Sequence, residues 1–66
     1  MTPKYPGITV TLTGTDGNAF AVLGQVNRAL RQAGVPAEER NVFMAEATAG
    51  TYDVLLQTVM RWVEVL

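Results

Sequence analysis

The chain has 66 residues, 48% of them apolar, and its five Lys and Arg against six Asp and Glu leave a formal charge of −1. That length holds one domain, residues 1–66, which buries only about 60% of the surface its unfolded chain exposes, so the core must be economical or completed by a partner. The chain has no cysteine and no histidine, which excludes disulfides and leaves a structural zinc only carboxylates, while the near-neutral charge disfavours a dedicated nucleic-acid binder.

Residues 1–6 read as an extended lead-in, because MTPKYPG carries two prolines and a glycine. It lacks the apolar core of a signal peptide, and no run approaches the roughly 20 apolar residues of a membrane span. With the absence of cysteine, this fits a cytoplasmic protein. ITVTLTG then alternates Ile8, Val10 and Leu12 with Thr9, Thr11 and Thr13. Period two with β-branched residues predicts a half-buried strand.

TGTDGNAF, Thr13 to Phe20, joins that strand to a helix. A strand, a glycine-containing loop and a helix start are the ingredients of an anion site. The ligand-binding reading therefore places an anion or nucleotide at Gly14, Thr15, Gly17 and Asn18, with Arg28 or Arg31 assisting. The spacing matches neither GxxxxGK[ST] nor GxGxxG, and Asp16 puts negative charge where a phosphate would sit. The ordinary reading is that Asp16-Gly17 turns the chain and Asn18 caps the helix through its side-chain oxygen.

Ala19, Val22, Leu23, Val26, Ala29, Leu30 and Ala33 follow helical steps, with Gly34 as the C-terminal cap and Pro36 forbidding continuation. Gly24 lies inside this helix at a cost of about 1 kcal/mol relative to alanine. It serves either close packing within the fold or a helix–helix contact between two chains. Pro36 opens a second helix, with Glu38 and Glu39 at its positive end. Its stripe is Phe43 and Ala47, helped by Val42 or Met44, and Gly50 ends it. Thr51 caps a third helix with Asp53 in its first turn and Leu55, Leu56, Val59, Met60 and Val63 as its apolar face. RWVEVL can continue that helix or form a strand. The strand is favoured, because a lone ITVTL would have two unpaired edges.

Without histidine or cysteine, acid–base work would fall on Asp16, Glu38, Glu39, Glu46, Asp53 or Glu64, and no hydroxyl has an imidazole to activate it. The expectation is that the chain is not an enzyme and needs no cofactor or metal. Arg28, Arg31 and Arg40 form at most a small basic patch, whose ordinary reading is a solubilising surface. Val42, Phe43 and Met44 are consecutive, so one helix cannot bury all three, and the surplus points to a partner surface. Val42, Met44, Tyr52 and Trp62 are the contact candidates.

The segments DGNAFA, ALRQAGV, EATAGTYDVLL and MRWVEV resemble a family of small proteins of uncharacterised role found in bacteria, phages and plasmids. The likeness runs from Ile8 nearly to the end, and Arg40 departs from it where an apolar residue facing the core is expected. It implies a phage- or plasmid-associated accessory role. The residues predict an α+β fold: a small β-α-α-α-β domain with a thin two-stranded sheet packed on helices. The leading function is a non-catalytic protein-interaction or accessory protein that binds another protein, with a homodimer extending or stacking the thin sheet.

Overall fold

A computed structural model describes residues 2–12 and 18–66. The chain runs β1 (Tyr5–Val10), α1 (Ala19–Gln32), α2 (Ala37–Ala47), α3 (Tyr52–Trp62) and β2 (Val63–Val65). This is the small α+β arrangement expected. The two strands pair in parallel, with Tyr5 opposite Val63, Thr9 opposite Glu64 and Val10 opposite Val65. The register shifts between Tyr5 and Thr9, where Pro6 has no N–H to donate and Gly7 follows it. The strand thus starts earlier than the threonine alternation suggests, because Tyr5 already pairs. The alternation itself holds. Val10 is buried and Ile8 and Leu12 are half-buried, while Thr9 and Thr11 face out.

Asn18 has extended backbone angles, and its Oδ1 accepts the Ala21 N–H at 3.0 Å, so it caps α1 as its chemistry dictates. Val22, Leu23, Val26 and Leu30 bury one side of the helix. At its end Gly34 takes φ +89°, the Gly34 N–H bonds the Arg31 carbonyl at 3.1 Å and the Val35 N–H bonds the Leu30 carbonyl at 3.0 Å. This is a Schellman closure, completed by the buried pair Leu30 and Val35.

Helix α2 ends at Ala47, earlier than Gly50. The Thr48 N–H and hydroxyl both bond the Met44 carbonyl, at 3.1 and 2.7 Å. Gly50 instead keeps space for α3, since a Cβ there would stand 3.0 Å from Val54 Cγ2. Thr51 caps α3, with its hydroxyl accepting the Val54 N–H. The buried stripe of α3 is Leu55, Thr58, Val59 and Trp62. Leu56 is only half-buried and Met60 is 63% exposed, so the expected face is rotated. Trp62 explains the rotation. It extends the Leu55, Thr58, Val59 row by one turn, and its large ring outweighs Met60 for the core position. The buried Thr58 hydroxyl donates to the Val54 carbonyl at 2.8 Å and is satisfied.

Val63 then takes φ −137°, ψ 165°, and the chain turns directly from helix to strand. The core gathers Val10, the α1 stripe, Phe43, Leu55, Val59, Trp62 and Val63. Arg40, in place of the expected apolar residue, is half-buried between α1 and α2. Its Nε donates to the Val35 carbonyl at 3.3 Å and its Nη1 to Asn27 Oδ1 at 3.5 Å. The guanidinium satisfies a carbonyl beyond the end of α1, so a charged residue fits there.

Candidate interaction surface

Trp62 is 3% exposed, so it is not a surface contact; this corrects the expectation for that residue. Its ring meets Phe43 edge-on, with centroids 5.5 Å apart and planes at 70°, and meets Tyr5 at 5.9 Å. Its Nε1–H donates to Glu46 Oε1 at 3.0 Å. Lys4 Nζ stands 4.3 Å from the ring centroid and 3.0 Å from Glu39 Oε2. One side chain thus joins β1, α2 and the end of α3, with a cation over its face.

The other three contact candidates are spread over the fold. Val42 is 46% exposed on α2, while Met44 and Tyr52 are half-buried against the core. The most exposed aromatic is one the sequence pattern left unassigned. Phe20 is 88% exposed in the first turn of α1. Its position shows why. Val22, Val26 and Leu30 define the buried stripe, and at 100° per residue Phe20 lies well off that line. It borders a groove of about 260 Å³ that runs past Leu23, Ala47, Tyr52 and Leu55 to Gly50. These linings are nearly all apolar, so an aliphatic or aromatic side chain of a partner would lose water on entering. Tyr52 therefore stays in the candidate surface, beside Phe20 rather than beside Val42.

The expected anion site is only partly described. Gly14, Thr15 and Gly17 lie outside the described residues. Asn18 already has its Oδ1 engaged by Ala21. Arg28 and Arg31 are ten and thirteen residues further along, and at 1.5 Å per residue this sets them about 15 and 20 Å from Asn18. Helical geometry does not bring them to that end of α1. Both arginines are exposed on its outer side, and among the described residues neither forms an ion pair.

Among the described residues no three His, Cys, Asp or Glu side chains gather to hold a metal ion. No helix there is long and apolar enough to cross a membrane. Compared with protein-family models, with curated proteins and with solved structures, the chain matches none.

Proposed function

We propose that the chain is a small non-catalytic interaction protein that presents Phe20 and the adjoining groove to another protein. The observation that carries this reading is the 88% exposure of Phe20 beside the apolar groove. An aromatic ring left in water at a groove rim is the kind of anchor that interfaces use. Glu39 and Glu46, seven residues apart on α2, are otherwise engaged. Glu46 receives Trp62 and stands 3.9 Å from Arg61, and Glu39 pairs with Lys4. With no histidine or cysteine in the chain, nothing among the described residues resembles an acid–base or nucleophile pair. The resemblance to small phage and plasmid proteins supports an accessory role in such a setting, and the absence of cysteine fits the cytoplasm.

The test is affinity capture from the native cell with the tagged chain and with F20S, followed by binding measurements on the purified partner. A stoichiometric protein whose affinity falls at least tenfold with F20S supports the reading. N41S, on the exposed side of α2, should leave that affinity unchanged. Equal capture by the native chain and F20S would discard the Phe20 surface.

A further inference from the structure

We infer that the partner of the α1 outer face is a second copy of this chain, docked antiparallel across a two-fold axis that passes beside Gly24. The inference rests on the reading of Phe20 as an anchor and names what the anchor meets.

Phe20, Gly24, Arg28 and Arg31 fall within one 80° sector of α1 at 100° per residue, opposite the Val22, Val26, Leu30 stripe. All four are exposed. Gly24 is unexplained within the chain. A Cβ there would meet nothing within 4 Å, so no neighbouring element requires a glycine, and yet a helix interior is where glycine is disfavoured. A shallow depression lined by Ala21, Gly24, Gln25 and Arg28 marks the place. A second helix can approach its backbone there more closely than any larger residue would allow.

The spacing supplies the identity of that helix. Phe20 lies four residues before Gly24 and Arg28 four after it. In an antiparallel pair centred at Gly24, the ring of each chain comes level with the guanidinium of the other, twice, by symmetry. A two-fold interface requires this: residue i meets j and j meets i. The pairing is electrostatically matched, because a guanidinium favours the negative face of an aromatic ring. It also gives an occupant to the most exposed aromatic and a partner to a cation that has no carboxylate among the described residues. The helix is about 21 Å long, so the interface lies at the small end of specific contacts.

The test is sedimentation velocity on the full chain from about 10 μM to 1 mM, with thermal melts at the lowest concentration. A reversible dimer is expected. F20R sets a second guanidinium against Arg28 and should weaken it at least tenfold, and the exchange F20R/R28F should restore it, since the exchange rebuilds the same cross-pair. G24L should abolish the dimer while the diluted chain melts no lower than the native one. In a chain otherwise free of cysteine, G24C treated with oxidised glutathione, which accepts the two electrons, should form the symmetric disulfide, and Q32C should not. A chain monomeric at 1 mM overturns the inference, as does a dimer indifferent to G24L and F20R. If F20S loses a different protein while the native chain stays monomeric, the self-pairing fails and the interaction reading stands.

Discussion

Replacing Trp62 by phenylalanine tests the joint that ties β1, α2 and the end of α3 together. The substitution removes the Nε1–H bond to Glu46 Oε1 and leaves space beside Phe43 and Tyr5. The Glu46 side chain is 45% exposed and can turn to water, so the hydrogen bond contributes about 1 kcal/mol and no large desolvation penalty remains. The smaller ring adds about 1 kcal/mol through lost burial and a partly relaxed cavity. Lys4 keeps a ring to cover, though a weaker one. The expected loss is about 2 kcal/mol, out of roughly 3–10 kcal/mol for a chain of this length. That corresponds to a fall in Tm of roughly 8–16 °C. Urea unfolding at 25 °C, followed by far-UV circular dichroism, measures it without relying on the lost fluorophore. E46Q retains an acceptor oxygen and should cost under about 0.5 kcal/mol. A W62F loss below about 0.5 kcal/mol would refute the joint, and an E46Q loss equal to that of W62F would assign the stabilisation to the Glu46 charge instead.

Glycines at two places should respond with opposite signs. G24A should raise stability by about 1 kcal/mol when melted at low micromolar concentration, whereas G34A, forced to φ +89°, should lower it by about 1–2 kcal/mol. N18A removes the cap of α1 and should cost about 1 kcal/mol in urea, with T51A costing less, because its bond to the Val54 N–H is long at 3.5 Å. R40A should cost about 1 kcal/mol through the unmet Val35 carbonyl, and R40K should recover part of it. The single tryptophan, being buried, should emit to the blue of free tryptophan and resist iodide; emission matching the free indole would contradict its placement.

Local chemistry made the backbone legible. Thr9 and Thr11 alternating with Val10 and Leu12, the Asn18 and Thr51 caps, Gly34 before Pro36, and the valines of the last segment each say what the chain does within a few residues. Side-chain placement depended on three-dimensional competition, which one-dimensional spacing does not carry. Trp62 looked like surplus apolar surface because it follows the helix, yet the 55–58–59–62 row takes it inside and turns Met60 out. Arg40 looked like a misfit because its carbonyl partner lies in the turn after α1. Phe20 escaped notice because it lies outside the Val22, Val26, Leu30 stripe, and how much water reaches it depends on which neighbouring elements cover the first turn of α1. Of the candidate site, Tyr52 was legible and its neighbour was not.

The parallel pairing of β1 and β2 has a mechanical meaning. The Lys4 N–H bonds the Arg61 carbonyl and the Leu66 N–H bonds the Val10 carbonyl, so the start of one strand lies beside the start of the other. Tension applied at residues 4 and 66 pulls the strands past each other along their length. Their hydrogen bonds, which run across the strands, are then loaded together in shear instead of opening one after another like a zip. A chain held at those two points resists stretching with its whole sheet at once, and the three helices stay unloaded until the sheet gives way.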